Sequence, residues 1–349
     1  MTTRSLPLFE DRRAELETCV YCPKLCRAAC PVSSAEPKES LTPWGKMSTV
    51  YFQARGDAPL DEEHSALAWA CTGCHGCRER CDHRNEVASS LWEARFAWFE
   101  RGLAPAAARR VVARHGALLT ELARASADLS PSDPQGTPVL LGCGYVLRLP
   151  DVARDALSVA RALIGPIRIL DRCCGLPLLQ AGDMAGFHRE IQILTAEFPP
   201  PLVLDPGCAL ALRKAGIHPR LLVEEAVAHL ERFSTVGTTG EVRYHDPCQL
   251  GRGLGVYEAP RVLLARVLGR APGEFAERRQ QAACSGGGGL LPRTMPEVSR
   301  AIARSRVQAH EQAGSGEIVT ACASSLRKLR EAGAQVSDLT TWLARALQS

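Results

Sequence analysis

The chain has 349 residues, of which 46% are apolar and 23% are charged, with 42 Lys and Arg against 38 Asp and Glu. This composition is typical of a globular protein of two or three domains. A net charge of +4 with only 5% aromatic residues disfavours a nucleic-acid-binding surface, and no stretch approaches the ~18–20 apolar residues of a membrane span. The N-terminal residues mix acidic and basic side chains without an apolar segment, so we expect no signal peptide and a cytoplasmic protein.

The 15 cysteines are the most informative feature of the sequence. A cytosolic compartment keeps thiols reduced, so clustered cysteines in such a protein indicate metal or redox chemistry rather than disulfides. Eight of them form two short motifs near the N-terminus, Cys19-x2-Cys22-x3-Cys26-x3-Cys30 and Cys71-x2-Cys74-x2-Cys77-x3-Cys81. In motifs of this kind, three cysteines of one motif hold a four-iron cluster and the fourth reaches across to the other cluster.

This rule predicts two [4Fe-4S] clusters, each with ligands from both motifs. The first cluster would be held by Cys19, Cys22, Cys26 and Cys81. The second would be held by Cys71, Cys74, Cys77 and Cys30. A pair of structural zinc sites is the alternative, but zinc frameworks usually present two CxxC pairs far apart.

Two features of these motifs depart from the usual pattern. Three residues, 23–25, separate the second and third cysteines of the first motif, and Asp82 replaces the proline that commonly follows the last cysteine. Neither departure removes a ligand, but the pairing of Cys30 and Cys81 across the motifs is an inference. His75 and His83 are interpreted as loop residues rather than ligands, because the cysteines already complete both sets.

A helix is predicted after the second motif, at residues 85–102, with Gly102 as its stop signal. Its large apolar side chains, which we expect to shield a cluster or the domain core, are Leu91, Phe96, Trp98 and Phe99. Residues 126–138 are rich in Ser, Asp and Pro and predict a domain boundary.

Beyond this boundary, short apolar runs repeatedly end in cysteine. The runs are residues 138–143, 167–174, 202–208, 242–248 and 318–322. Helical stretches such as 151–164 and 223–233 separate them, and this alternation predicts an α/β domain with a parallel sheet. Ligands of such sheets bind beyond the carboxyl ends of the strands, where these cysteines fall.

The region also predicts an internal duplication. In the first half Cys143 is followed by Cys173-Cys174-Gly175 and then by Cys208, with Asp205 three residues before it. In the second half Cys248 is followed by Cys284-Ser285-Gly286 and then by Cys322, with Ser325 three residues after it. Each half has the size of a small domain.

These motifs resemble the CCG, or cysteine-rich, domain of heterodisulfide reductase. That domain recurs in the iron–sulfur subunits of glycolate oxidase, anaerobic glycerol-3-phosphate dehydrogenase and lactate-utilisation complexes. The resemblance covers essentially the whole chain, with paired four-cysteine motifs first and two CCG domains after them. It is most specific at residues 244–252, 255–261 and 173–175.

The resemblance implies a third cluster, cubane or non-cubane, in the first CCG domain. Its ligands by resemblance are Cys143, Cys173, Cys174 and Cys208, while Asp205 stands where a further cysteine is expected. A thiol pair that does redox chemistry directly is the alternative. Adjacent cysteines rarely form a relaxed disulfide, so we favour the cluster.

The second CCG domain departs further from the pattern. Ser285 and Ser325 replace two of its cysteines, which leaves Cys248, Cys284 and Cys322 as metal-ligand candidates. They could hold a three-iron cluster, a four-iron cluster with a labile corner, zinc with His245 or water, or no metal. The glycine run 286–289 lacks the GxGxxG spacing of a nucleotide site and indicates a closely packed loop.

The sequence therefore predicts an α/β chain with three domains. A helical, ferredoxin-type two-cluster domain spans residues 1–125, and two tandem α/β CCG domains span 126–240 and 241–349. No phosphate loop, flavin fingerprint, catalytic triad or HExxH motif is present. Electron transfer is then the function that the ligands support, and no catalytic residue is assigned.

By resemblance, the chain is expected to be an electron-transfer subunit of an oxidoreductase complex. It would relay electrons between a flavin-containing dehydrogenase partner and a quinone or another carrier, either in the cytoplasm or held by a partner at the inner face of the membrane. Two alternatives are a catalytic reductase that cleaves a disulfide substrate, and a zinc-bound scaffold without redox activity.

Overall fold

The computed structural model describes residues 9–23, 25–129, 132–238 and 240–347. The described residues do not include the first eight residues or Lys24, which lies in the spacer between Cys22 and Cys26. They also do not include Ser130 and Pro131 of the predicted linker.

Helices make up most of the described chain. The α-helices are α1 (Arg13–Val20), α2 (Pro31–Ala35), α3 (Pro43–Arg55), α4 (Glu62–Ser65), α5 (Gly76–Glu79), α6 (Val87–Glu100), α7 (Ala106–Ala113), α8 (His115–Ala127), α9 (Cys143–Arg148), α10 (Pro150–Ile164), α11 (Leu176–Ala181), α12 (Met184–Glu197), α13 (Pro206–Lys214), α14 (Leu222–Ala228), α15 (Glu258–Leu268), α16 (Leu291–Thr294), α17 (Pro296–Gln312), α18 (Ala323–Glu331) and α19 (Leu339–Ala346). The strands are β1 (Thr137–Leu140), β2 (Ile167–Ile169), β3 (Leu202–Val203), β4 (Arg220–Leu221), β5 (Val242–Tyr244), β6 (Gly273–Glu274), β7 (Glu317–Thr320) and β8 (Val336–Asp338). None of the helices described here combines the length and the apolarity needed to cross a membrane.

The chain forms two compact units. The first contains the described residues up to Ala113, together with Pro177–Met184 and Ala283–Arg306. The second contains Arg114–Leu176, Ala185–Ala282 and the described residues from Val307 onward.

The first unit is helical, with no strand among its described residues. Helix α3 begins at a capped N-terminus, where Thr42 Oγ1 accepts the Gly45 N–H at 3.0 Å and Pro43 occupies the first turn. Apolar side chains of α1, α3 and α6 meet in one core. Its largest buried members include Phe9, Leu16, Met47, Tyr51, Trp69, Leu91 and Trp98.

One buried side chain, Arg95 of α6, connects the separate segments of this unit. Its guanidinium donates to the carbonyl oxygens of Ala68 at 3.0 Å, Cys71 at 2.8 Å, Gln180 at 3.1 Å and Gly289 at 3.0 Å. Burial of the cation lowers the pKa of Arg95 to about 10. Buried carbonyl groups need donors, and a single fork of N–H groups supplies four of them here. Residues 177–184 and 283–306 are thereby held with the helices of the first unit.

The second unit contains two four-stranded parallel sheets with the same arrangement. The strand orders are β2-β1-β3-β4 and β6-β5-β7-β8. In the first sheet Val139 pairs with Ile169 and Leu202. In the second, Tyr244 holds the corresponding place between Glu274 and Val319. The central strands β1, β3, β5 and β7 are largely buried, as is typical of parallel strands covered on both faces.

A single core spans both sheets of the second unit. Its buried members include Val139, Tyr145, Leu157, Ile167 and Leu202 from the first half, and Tyr244, Leu264, Ile318, Leu326 and Trp342 from the second. The Tyr145 hydroxyl also donates to Asp338 Oδ2 at 2.7 Å, from one half to the other. The two halves are therefore packed as one body around shared apolar side chains.

The mixed α/β class is confirmed, and the apolar runs that end in cysteine lie at β1, β2, β3, β5 and β7. The shorter strands β4, β6 and β8 were not predicted. The predicted helix at 85–102 corresponds to α6, and Gly102 follows it with a φ of +73°. The boundaries 1–125, 126–240 and 241–349 stay a prediction, because the compact units follow spatial packing rather than chain order.

We expect Arg95→Met to lower the free energy of unfolding by about 3–5 kcal/mol, because it leaves four buried carbonyl groups without donors. Urea unfolding followed by tryptophan fluorescence measures this change, since Trp44, Trp69, Trp92 and Trp98 all lie in the first unit. Arg101→Met is the matched control. Arg101 is exposed and donates within α6 to Ala97 O, so its loss should change the free energy by no more than about 0.5 kcal/mol. Equal midpoints for the two variants would rule out the anchoring role.

Candidate metal centres

Two cavities of the first unit are lined by the cysteines of the two N-terminal motifs. The first cavity is lined by Cys19, Cys22, Cys26, Cys77 and Cys81, together with Thr18, Trp44, Asn85 and Val87. The second has the thiols of Cys30, Cys71, Cys74 and Cys77 in its wall. Each cavity thus receives thiols from both motifs, and Cys77 lies at the boundary between the two.

Short helical elements hold the cysteines of both motifs. Cys30 occupies the N-cap position of α2, and Pro31 in the first turn favours that helix start. The 3-10 segment Leu25–Ala29 precedes it. In the second motif the short helix α5, which contains Cys77, begins after His75, whose φ is +56°. His75 Nδ1 lies 3.4 Å from Glu86 Oε2, so this histidine is paired with a carboxylate.

The electrostatics of these thiols fit a site that needs a metal. Burial, followed by the neighbouring thiols Cys26, Cys81 and Cys22, raises the pKa of Cys19 to about 12. The pKa of Cys26 rises to about 11 through burial and the charges of Cys81 and Cys22. Burial and the charges of Cys74, Cys71 and Cys30 also raise the pKa of Cys77. Thiolates gathered in this way require positive charge, which a bound iron–sulfur cluster supplies.

Polar groups around the two cavities differ. Asn85 Nδ2 donates to Cys19 Sγ at 3.0 Å and to the Glu15 carbonyl at 2.7 Å. Lys46 Nζ lies 3.5 Å from Cys30 Sγ. Sequence reasoning missed both residues as parts of a site. A lysine among Met47, Val50 and other buried residues of α3 is the signal that could have drawn attention to Lys46.

The glycine run 286–289 packs directly on the second cysteine motif. At Gly289, with φ +63°, a Cβ atom would clash with the Cys71 carbonyl oxygen and would lie 2.6 Å from the Thr72 carbonyl carbon. At Gly288 it would lie 2.6 Å from Thr72 O. Only glycine permits this approach, so this loop supports the backbone of Cys71.

A third set of thiols lies at the carboxyl ends of the first sheet. Cys143 follows β1, Cys173 and Cys174 follow β2, and Cys208 lies in the first turn of α13 after β3. Since β1 lies between β2 and β3, three adjacent strand ends bring these four cysteines together.

These four thiols form a continuous row. Cys174 donates to Cys208 Sγ at 3.1 Å, and Cys173 makes hydrogen bonds with both Cys143 and Cys174. The hydrogen bond with Cys173, together with burial, raises the pKa of Cys143 far above its usual value. Four neighbouring thiols are the kind of donor set that holds metal clusters.

Gly142 and Asp205 shape this third set. A Cβ at Gly142, where φ is +94°, would lie 2.9 Å from Asp205 Cβ and 3.1 Å from Cys208 Sγ. Asp205 caps α13 by accepting the Gly207 N–H at 2.7 Å, and it also accepts the N–H groups of Cys208 and Ala323. Burial raises the pKa of Asp205 to about 6 although these hydrogen bonds lower it. A buried carboxyl group thus occupies the position where the resemblance predicts a cysteine.

The cysteines of the second half are distributed over both units. Cys248 precedes the π-helical turn Gln249–Gly253 in the second unit. Cys322, in the same unit, caps α18, and its pKa is raised to about 12 by burial and by the charge of Asp205. Cys284 belongs to the first unit, where its Sγ accepts the Gly286 N–H at 3.3 Å. Metal binding by these three residues stays a prediction.

Comparison with known families confirms the resemblance predicted from the motifs. Residues 15–85 match the family model of the 4Fe-4S dicluster domain, and residues 242–330 match that of the cysteine-rich domain. The chain is thus an iron–sulfur protein that combines these two kinds of domain.

Several curated proteins are similar along much of their length. A subunit of the fumarate reductase (CoM/CoB) of Methanothermobacter marburgensis is 26% identical over 90% of this chain and 67% of its own. A subunit of the dihydromethanophenazine:CoB–CoM heterodisulfide reductase of Methanosarcina acetivorans is 25% identical over 95% of this chain and 94% of its own. Lactate utilization protein A of Lysinibacillus sphaericus is 32% identical over 30% of this chain and 42% of its own. These relatives support a role in electron transfer associated with oxidoreductases.

We expect Gly289→Ala to remove about four irons per chain, because the new methyl group would displace the backbone of Cys71, a proposed ligand. Iron and sulfide analysis of protein purified without oxygen measures the loss. Gly56→Ala is the matched control: its φ is +76°, and no described atom lies within 4 Å of the added carbon. It carries the cost of a left-handed alanine, about 1–2 kcal/mol, without the clash. Equal iron contents in both variants would contradict the packing argument.

Proposed function

We propose that this chain is an iron–sulfur electron-transfer subunit of an oxidoreductase complex. The observation that carries the proposal is the gathering of twelve cysteines into three four-thiol sets, two around cavities of the first unit and one at the strand ends of the second. A bound cluster supplies a one-electron redox couple, and thiolates are the ligands that hold it.

The proposed ligand sets follow the geometry. One cluster takes Cys19, Cys22, Cys26 and Cys81, and the other takes Cys71, Cys74, Cys77 and Cys30, as the crossover rule predicts. A third cluster, cubane or non-cubane, takes Cys143, Cys173, Cys174 and Cys208. Cys77 lines both cavities, and we assign it to the second because the crossover rule groups it with Cys71 and Cys74 of its own motif.

Protein residues bury half of the twelve proposed ligands and orient one of the thiols, that of Cys19. Cys30 and Cys74 are each 7% exposed, and Cys173 and Cys174 are each 2% exposed. Burial of these four side chains keeps water away from them. A cluster bound there would gain and lose electrons without losing a cysteine ligand to water. The hydrogen bond from Asn85 to Cys19 fixes the orientation of that thiol.

The partner in this proposal is a flavin-containing dehydrogenase subunit, with a quinone or another carrier at the other end of the relay. Relatives that are named as reductase subunits support a multi-subunit setting. A cytoplasmic complex, or one held at the inner face of the membrane by a partner, accords with a chain whose described helices do not include a membrane span.

Disulfide reduction is the second candidate function. It is favoured by the buried row of Cys143, Cys173, Cys174 and Cys208 and by relatives named heterodisulfide reductase subunits. Asp205, Ser285 and Ser325 stand against it, because they replace thiols at the two CCG sites. Electron relay needs only one complete set in this region.

Iron and sulfide content with EPR spectra tests the proposed ligand sets. About twelve irons per chain are expected in protein purified without oxygen, falling to about eight in Cys174→Ala, because alanine offers no ligand. Cys248→Ala should keep about twelve if the second half binds no cluster of its own. About eight irons in every form would leave two clusters only and would remove the third from the proposal.

Anaerobic turnover with organic disulfides and a low-potential electron donor separates the two candidate functions. An electron-transfer subunit should reduce a dye or carrier while leaving the disulfide intact. Disulfide cleavage by the wild-type protein that disappears in Cys174→Ala would instead establish the reductase function, with the third cysteine set as its site.

A further inference from the structure

Lys46 is a buried cation whose hydrogen-bonding partner is a cysteine of the second set. Its side chain lies on α3 and the residue is only 1% exposed. Its ammonium lies 3.5 Å from Cys30 Sγ, which is its one hydrogen-bond contact among the described residues. Burying an ammonium is costly unless a negative group compensates it. In the proposed ligand set, the thiolate of Cys30 supplies the negative charge that compensates the Lys46 ammonium.

Arg95 is a second buried cation that contacts the second cysteine motif. Its guanidinium donates to the Cys71 carbonyl oxygen at 2.8 Å, and the residue is fully buried. Burial raises the pKa of Cys71, and the charges of Lys46 and Arg95 partly oppose this rise. Two positive charges therefore act on the cysteines of the second cavity from within a low-dielectric interior, where they are weakly screened.

The first cavity has a different polarity. Apart from its cysteines, its described lining residues are Thr18, Trp44, Asn85 and Val87, none of which carries a charge. The hydrogen bond to Cys19 comes from a neutral amide, Asn85. By contrast, the lining of the second cavity includes the Lys46 ammonium.

We propose that Lys46 raises the reduction potential of the site formed by Cys30, Cys71, Cys74 and Cys77 above that of the site formed by Cys19, Cys22, Cys26 and Cys81. Reduction adds one negative charge to a site, and a buried cation beside it stabilises that charge, whereas the uncharged first cavity offers only a dipole. Because of Lys46, the second site holds the electron when the first unit is reduced by one electron. This inference depends on the proposed two-cluster assignment.

The test is an EPR-monitored redox titration of anaerobically purified wild-type protein beside Lys46→Met. Methionine keeps an unbranched side chain and removes the charge. We expect the higher of the two N-terminal midpoints to become more negative and the other to stay in place. At the wild-type midpoint, the ratio of reduced to oxidised cluster should fall about tenfold, which corresponds to about 59 mV for a one-electron couple.

Further variants identify which cluster has the shifted midpoint and whether the charge of Lys46 causes the shift. Lys46→Gln, which retains a donor without charge, should repeat the shift, and Lys46→Arg should restore the wild-type midpoint. Asn85→Leu should move the lower midpoint instead, because it removes the hydrogen bond to Cys19. Lys38→Met is the matched control, since Lys38 is exposed and paired with Glu36.

Several results would overturn the inference. These are an unshifted pair of midpoints in Lys46→Met with full iron content, a shift confined to the lower midpoint, or a shift of the same size in Lys38→Met. Loss of about four irons in both the Met and Gln variants would show that Lys46 is required for assembly and would likewise exclude a tuning role. Wild-type protein without clusters would refute the proposed function itself, and iron analysis detects that outcome separately.

Discussion

The first unit depends on the hydrogen bonds that the buried guanidinium of Arg95 donates. They reach one carbonyl oxygen in the second cysteine motif, one in residues 177–184 and one in residues 283–306. Segments far apart in sequence are thus joined through one side chain. Such a fork of donors is rigid, because its five N–H groups are coplanar. The loop that contains Gly289 can then lie against Cys71 without a side chain between them. The position of a proposed ligand is thus set from outside its own motif.

In the second unit, the strand order alone brings the four cysteines of the third set together. Parallel strands direct their carboxyl ends to one edge, and β1, which precedes Cys143, lies between β2, which precedes Cys173, and β3, which precedes Cys208. The second sheet repeats the strand order, although Ser285 and Ser325 stand in the second half where the resemblance predicts cysteines. The shared apolar core explains why the fold is retained there, since packing depends on residues such as Ile318 and Trp342 rather than on cysteine.

The cysteine spacing and the apolar runs were sufficient to predict the α/β class and the helical N-terminal region, whereas the ligand grouping of the first eight cysteines stays a prediction. Short-range patterns of this kind reflect local physics. The roles of Lys46 and Arg95 were not predictable, because each depends on a contact with a residue distant in sequence. The packing of residues 283–306 with the first unit escaped prediction for the same reason. The amino-acid composition gives the numbers of charged and apolar residues, but it does not indicate which cation becomes buried.

The presence of thiols from both motifs in one cavity has a consequence for biosynthesis. Cys26 leaves the ribosome well before Cys81, and at about 5–20 residues per second the interval is roughly 3–10 s. In the proposed assignment the first motif lacks one ligand throughout that interval, and its thiols are open to oxidation or to binding of other metal ions. A cluster with ligands from both motifs can be completed only after the second motif has been translated.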